Sequence, residues 1–261
     1  MDILDKIVAQ KRREVDLKKQ LIPLGQLERS ILFDRETTSL SEALLHSPSG
    51  IIAEFKRRSP SKSVINQESP IQEVAKGYQE AGVCGMSVLT DNHFFGGSLD
   101  DLLIARSAVD IPLLRKEFII DTYQIIEAKA HGADVILLIA AILNRSEIKV
   151  FSELAGALGM EVLLEVHNGA ELQRSLMPGL NMIGVNNRNL KTFEVSLETS
   201  RSLAKEIPSD IVMISESGLS SPEAIVSLRE EGFRGFLVGE SFMASRDPGA
   251  SAAHFIKTIG S

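Results

Sequence analysis

Residues 111–141 read IPLLRKEFIIDTYQIIEAKAHGADVILLIAA, and this stretch decides the fold. Two near-continuous apolar runs, IPLLRK ending at Lys116 and ADVILLIAA ending at Ala141, flank a helical stretch. Strands that are apolar on both faces belong to a parallel sheet covered on both sides, and parallel neighbours need a crossover, usually a helix. The reading repeats along the chain. IIAEFK ends in Lys56 and SVLTD in Asp91, EVLLEV carries Glu165, and MIGVNNR carries Asn186 and Arg188. IVMISES carries Glu216 and Ser217, and GFLVGES carries Gly239.

Strand starts fall near Ile51, Met86, Ile111, Asp134, Glu161, Met182, Ile211 and Gly235. Their spacing of roughly 21 to 35 residues suits βα units in a barrel of about 250 residues. The pattern predicts an α/β chain folded as a closed (β/α)8 barrel, with an open doubly wound sheet as the alternative. Amphipathic spacing of Ile71, Val74, Ala75 and Tyr78 predicts a helix covering the sheet. Near Pro222 two caps compete, Ser220 with Glu223 as a capping box or Ser221 with Pro222 at the first helical position, and Gly232 ends the helix either way. No linker divides the 261 residues, so 1–261 reads as a single barrel domain in which 1–48 is an N-terminal helical extension. Leu4, Ile7, Val8 and Val15 predict a helix there, and its Lys11, Arg12, Arg13, Lys18 and Lys19 read as a solvated face rather than a binding surface.

Composition narrows the functional classes. A net charge of −7 gives no footprint for nucleic acid or an anionic membrane. One cysteine, Cys84, excludes an internal disulfide, fits a reducing compartment, and reads as a packed small residue. No stretch is long enough to span a bilayer, and the N-terminus carries no apolar targeting segment, so a cytoplasmic location is expected. Five scattered histidines, no Walker sequence and no GxGxxG after a strand leave neither a metal nor an organic cofactor to expect.

In a barrel the C-terminal strand ends converge on one mouth. Glu54 and Lys56 alternate onto the same inward face of the first strand, as a structural ion pair or as working groups. Lys116 and Glu165 add a second ammonium and a second carboxylate. Such a set in a low-dielectric mouth separates acids from bases near neutral pH. Asn186 suits a substrate hydroxyl or a catalytic carboxylate, and Arg188 offers a planar fork for a carboxylate. Gly218 and Gly239 follow the seventh and eighth strands, where barrels bind phosphate on freed backbone N–H groups. Ser59 and Ser61, with the cations of KRRSPSK, suit the same anion. Phe94, Phe95 and Phe118 offer an apolar wall, against ordinary packing. These features predict cofactor-free acid–base chemistry on a small phosphorylated substrate.

The segments AEFKRRSPSK, SVLTDNHFFGGSLDDL, LLRKEFIIDTYQIIEAKAHGADVILLIAAIL, LGMEVLLEVH, IGVNNRNLKTFEV, ISESGL and LVGESFM occur in this order between about Ile51 and Met243. In this the chain resembles the indole-3-glycerol phosphate synthase family of tryptophan biosynthesis. The resemblance implies a (β/α)8 TIM barrel that closes an indole ring with loss of carbon dioxide and water, without metal or organic cofactor. It implies Lys116 as the general acid in ring closure, Glu165 as the partner in dehydration, and Lys56 as the holder of the anthranilate carboxylate and a later proton donor. Glu54, Asn186 and Ser217 would orient and tune these groups, with Arg188 as a carboxylate or network contact. Ser59, Gly218 and Gly239 would cradle phosphate, and Phe95 and Phe118 would flank the aromatic ring. Neighbouring phosphate-binding barrels of the same pathway, or a non-catalytic barrel, should lack the acid–base set. No fused pathway domain is expected, so a partner enzyme would be a separate chain. One departure stands out: Ser63 occupies the place where the family carries glycine, where it is expected to stiffen the first loop or to resist a positive φ.

Overall fold

The computed structural model describes residues 3–190 and 192–260. Eight parallel strands, β1 (Ile51–Phe55), β2 (Gly85–Leu89), β3 (Leu113–Lys116), β4 (Val135–Ile139), β5 (Glu161–Val166), β6 (Met182–Asn186), β7 (Val212–Glu216) and β8 (Gly235–Val238), pair in chain order. β8 closes on β1 through Ile51↔Phe236 and Ala53↔Val238, so the open-sheet alternative does not apply. Helices α1 (Ile3–Leu21), α2 (Leu24–Leu27) and α3 (Leu40–His46) precede the barrel. α4 (Ile71–Glu80), α5 (Asn92–Phe95), α6 (Leu99–Ala108), α7 (Thr122–Ala130) and α8 (Arg145–Ala157) fill the first four crossovers and the fifth is α9 (Gly169–Ser175). α10 (Glu198–Ala204), α11 (Pro222–Glu230), α12 (Glu240–Met243) and α13 (Pro248–Ile259) complete the chain.

The third strand starts two residues later than the apolar run suggests, because Pro112 has no N–H for the ladder and enters only as an acceptor, from the Met86 amide. At α11 the competition between caps is resolved for Ser221, whose side chain accepts from the Ala224 amide with Pro222 in the first turn. Gly232 follows that helix at φ +98°, a conformation costly to any other residue. Ser63 is exposed and is not among the positive-φ residues, so serine meets no backbone conflict there.

Alternation along the strands makes two cores. Ala53, Val88, Ile136, Leu164 and Val185 point outward into the layer between sheet and helices. Ile52, Leu114, Leu137, Leu163, Met182, Ile214 and Leu237 point inward and fill the barrel. The N-terminal extension seals both ends of this inner core. Leu40 and Leu44 of α3 join it from below, where a Cβ on Gly85 or Gly235 would lie 2.7 Å and 3.1 Å from their methyl groups. Glu161, at the start of β5, holds α3 by accepting from the Leu40 and Ser41 amides at 2.8 Å and 3.0 Å. Ile7 of α1 joins the same core from above.

The basic stripe of α1 departs from a solvated face. Lys11 is buried, and its Nζ lies 3.0 Å from Asp91, just beyond β2, and 3.0 Å from Glu117, just beyond β3. Lys18 reaches Glu127 at 2.7 Å and Lys19 reaches Asp121 at 2.5 Å, both on the β3–α7 segment. Arg12 and Arg13 are exposed, as is Lys19 despite its ion pair. Burial works against the Lys11 ammonium, but Glu117 and Asp91 outweigh it and its pKa is raised. Truncation of Lys11 removes the cation shared by two buried carboxylates and leaves Glu117 only Arg115, at 3.7 Å. Lys11→Ala is therefore expected to destabilise the protein by about 3–5 kcal/mol, while Arg12→Ala costs less than about 0.5 kcal/mol. Urea unfolding of the two variants checks this, and equal effects would return the stripe to the solvent.

Candidate active site

The strand ends open on a cavity of about 440 Å³. All twelve residues to which the family resemblance gives a role line it: Glu54, Lys56, Ser59, Phe95, Lys116 and Phe118 on one half of the chain, Glu165, Asn186, Arg188, Ser217, Gly218 and Gly239 on the other. Ile3, Leu4 and Ile7 of α1 complete the rim, so the first helix does border the site.

Lys116 is the hub. Its Nζ donates to Glu165 Oε2 at 2.9 Å and to Glu216 Oε2. Burial alone would drive the proton off this amine, but Glu165, Glu216 and Glu54 outweigh burial and raise its pKa. The two carboxylates diverge. Burial also acts against the charge on Glu165, yet Lys116, His167 and Asn186 prevail and hold it well below the usual carboxylate range. Glu216 is pushed up to about 7 by burial, with Lys116 opposing and the charges of Glu165 and Glu54 adding to the push. Two carboxyl groups on one ammonium thus hold different protonation states near neutral pH, the arrangement an acid–base pair needs. On the opposite wall Lys56 donates to Glu54 Oε1 at 2.5 Å, so the first-strand pair is an ion pair that also faces the cavity.

Asn186 and Ser217 form a clasp across β6 and β7. The Ser217 hydroxyl donates to Asn186 Oδ1 at 2.9 Å, and the Arg188 amide donates to the same oxygen at 3.0 Å. Ser217 sits at φ +67°, a strained conformation for a non-glycine residue, and Asn187 fixes it by donating to its carbonyl at 3.1 Å. Asn187 itself is structural, buried among Ser200 and Ser215. Arg188 spends one guanidinium nitrogen on the Phe193 carbonyl at 3.2 Å, which ties down the loop after β6; Lys191 of that loop lies outside the described residues.

Ser59, Gly218 and Gly239 also line the cavity. The cations of the first loop are engaged by the protein: Arg57 grips Asp101 at 2.6 Å and 2.7 Å, Arg58 donates to the Asn92 and His93 carbonyls, and Lys62 meets Glu240 at 3.0 Å. These contacts brace the loop against α5, α6 and α12. Phe95 and Phe118 lie 5.9 Å apart at 37°, an aromatic wall beside Lys116, whereas Phe94 packs on His93 and does not line the cavity. Asp91 positions Phe95 by capping α5 through the Phe94 and Phe95 amides.

Sequence reading passed over Glu216 in favour of its neighbour Ser217, although Val212, Ile214 and Glu216 alternate onto the inner face that should have marked it. It also passed over Leu190 and Phe193, which line the cavity from an irregular loop without periodicity. Gly184 carries a hidden requirement: a Cβ there would sit 2.2 Å from Glu216 Oε1. Gly239 does the same for Glu54, with its Cβ position 2.6 Å from Oε1. Among the described residues no group of three or more His, Cys, Asp or Glu side chains is placed to hold a metal ion, and no helix is long and apolar enough to cross a membrane.

Eight closed strands, two buried ammonium–carboxylate clusters and a glycine-lined rim define a barrel enzyme that acts on a small anionic substrate. Known proteins make the class specific. Residues 4–255 match the family profile described as indole-3-glycerol phosphate synthase. The chain is 50% identical to the indole-3-glycerol phosphate synthase of Bacteroides thetaiotaomicron, covering 99% of each, and 45% identical to that of Laribacter hongkongensis, covering 97% and 98%. Among solved structures it is similar to thiamine phosphate pyrophosphorylase from Pyrococcus furiosus, with a TM-score of 0.61 at 14% identity over 85% of this chain and 99% of that one; this likeness speaks for the barrel alone. The chain belongs to the indole-3-glycerol phosphate synthase family, whose members are carboxy-lyases of tryptophan biosynthesis.

The Gly184 requirement is testable by a double-mutant cycle. Gly184→Ala is expected to destabilise the wild-type protein by about 1–3 kcal/mol through overpacking, and by less than half as much in a Glu216→Ala background. An equal cost in both backgrounds would show that Glu216 is not what fills the space.

Proposed function

We propose that this chain converts 1-(2-carboxyphenylamino)-1-deoxyribulose 5-phosphate to indole-3-glycerol phosphate, carbon dioxide and water, with Lys116 as the general acid of ring closure. The observation that carries the reading is the Lys116 ammonium held between two carboxyl groups of opposite pKa displacement, beside an aromatic wall. Ser59, Gly218 and Gly239 receive the phosphate, and Lys56, with Arg188 beside it, receives the anthranilate carboxylate. Anchoring both ends, with Phe95 and Phe118 against the ring, brings the carboxylate-bearing ring carbon to the ribulose carbonyl carbon and converts the closure into an oriented intramolecular step.

As the carbon–carbon bond forms, Lys116 gives a proton to the carbonyl oxygen and neutralises the developing oxyanion. Carbon dioxide then leaves, and its bonding electron pair returns to the ring. The hydroxyl so formed departs as water, with Lys56 supplying its proton and Glu165 taking one from the ring system. Oxidation state is conserved, so the sequence requires no redox partner. Glu216 completes the set: it shares the Lys116 hydrogen bond, and its raised pKa lets it return a proton to the amine near neutrality. Glu54 steadies Lys56, while Asn186 and Ser217 hold the β6–β7 side of the cavity in register.

Fluorescence of indole-glycerol phosphate in the presence of a chelator tests the reading. Wild-type protein is expected to form product; a folded protein that binds substrate without turnover would sink the assignment. Lys116→Ala should abolish turnover while substrate binding survives, and Glu165→Gln should also block it. Because the raised Glu216 pKa places its proton loss near pH 7, Glu216→Gln should remove an inflection in that region from the pH dependence of kcat. An unchanged profile would take Glu216 out of the proton inventory.

A further inference from the structure

His167 follows β5 directly and carries no role in the proposed reaction, yet it is tied to Glu165 from behind. Two residues after Glu165, it returns to the same face of the strand. Its Nε2 lies 3.4 Å from Glu165 Oε1, the oxygen turned away from Lys116, and has no other partner although it is buried. Its Nδ1 lies 3.1 Å from Glu171 Oε2, and the His167 amide donates to that same oxygen at 2.8 Å.

Glu171 is itself fixed by the start of α9. Asn168 caps that helix by accepting from the Glu171 amide at 2.9 Å, and its Nδ2 donates to Glu171 Oε1 at 2.8 Å. Burial opposes the charge on Glu171, but its bonds to His167 and Asn168 prevail and lower its pKa. A carboxylate at Oε2 requires the proton of the imidazole to sit on Nδ1. In a neutral ring Nε2 would then turn a lone pair toward the Glu165 carboxylate. Only a second proton, on Nε2, makes that approach attractive.

We propose that His167 is a positioning residue, an imidazolium clamped between Glu165 and Glu171 that keeps Glu165 ionised and aims its other oxygen at Lys116. The charges facing His167 agree with this. Burial lowers the His167 pKa, but Glu171 on α9, Glu165 just before it on β5 and Glu216 on β7, one strand beyond its neighbour β6, all raise it and prevail. Lys116, the cation that shares Glu165 with it, is also bound by Glu216. The sequence signal is compact. A histidine two residues beyond the strand-end glutamate, then Asn168 and Glu171 at cap and N3 spacing, place strand, imidazole and helix start in one line.

The inference rests on the synthase reading for its kinetic consequence but not for its structural one, and two measurements separate them. Nitrogen chemical shifts of the His167 ring, followed against pH without substrate, should show both nitrogens protonated at pH values where a free imidazole is neutral. Glu165→Gln should lower that pKa by about one unit or more. A His167 that titrates near its ordinary value and ignores Glu165→Gln overturns the clamp. In the turnover assay, His167→Asn should lower kcat about tenfold, the kinetic equivalent of about one pKa unit of lost support, with KM within about twofold. It should also remove the alkaline fall in kcat that deprotonation of the imidazolium produces as pH rises. His167→Gln, whose amide N–H can reach Glu165, should restore part of kcat but not the pH dependence. A pH profile superimposable on wild type in both variants, at unchanged thermal midpoint, would overturn the positioning role. Absence of wild-type turnover would reject the synthase reading and leave the clamp to the nuclear magnetic resonance titration.

Discussion

One buried ammonium organises the mouth of this barrel. Lys116 ends β3 facing inward, and the low dielectric there makes an isolated cation costly. Glu165 from β5 and Glu216 from β7 satisfy it, so three strand ends separated by 49 and 51 residues of chain are held to one nitrogen. The bonds also bring two carboxylates together: burial, with the charge of Glu165 adding to it, raises Glu216, while Lys116 and His167 hold Glu165 down. Chemistry and structure therefore draw on the same contact. A substituent that loosens it disturbs the barrel mouth and the proton inventory together.

The scaffold around Lys116 is shaped to permit that crowding. Gly184 on β6 leaves the space that Glu216 Oε1 occupies, and Gly239 after β8 leaves the space for Glu54 Oε1. Both glycines are required by close approach to a side chain rather than by a left-handed backbone, in contrast to Gly218 at φ +78°. A second layer comes from outside the eightfold repeat. Lys11 of α1 binds Asp91 and Glu117, the residues just past the ends of β2 and β3, and Glu117 is the immediate neighbour of Lys116. Glu117 stays ionised although burial opposes it, because Lys11 and Arg115 flank it. The N-terminal helix is thus bolted to the strand end that carries the hub.

Much of this was legible in the sequence, for a physical reason: inward-facing polar residues on otherwise apolar strands have few structural explanations. Lys116, Glu165, Glu54 and Asn186 stood out because each interrupts or ends an apolar run. Glu216 met the same criterion, but ESGL was read for the phosphate-binding glycine Gly218, and the resemblance gave the orienting role to Ser217. What period and composition do not encode is partnership across distance. Lys11 looks like any exposed lysine of a basic helix until the fold brings Asp91 and Glu117 to it, and Arg57 and Lys62 look like free cations until Asp101 and Glu240 take them. The helix starts were the reverse case. A cap acts within one turn of chain, so local chemistry narrowed the start of α11 to Ser220 or Ser221, and the fold decides for Ser221.

Charge balance then ties the site to its surroundings. Within the mouth two ammoniums, Lys56 and Lys116, face three carboxyl groups, Glu54, Glu165 and Glu216. Full ionisation would leave a buried excess of negative charge, and the least costly relief is a proton on the carboxyl group with the poorest compensation. Glu165 has Lys116 and His167 on its two oxygens, whereas Glu216 Oε1 is buried without a partner. The surplus proton therefore falls on Glu216, beside the Lys116 ammonium. An anionic substrate adds to the same imbalance and strengthens that preference. The unmatched carboxyl group is thus no defect of the packing: its lack of a partner is what singles it out as the more readily protonated of the pair.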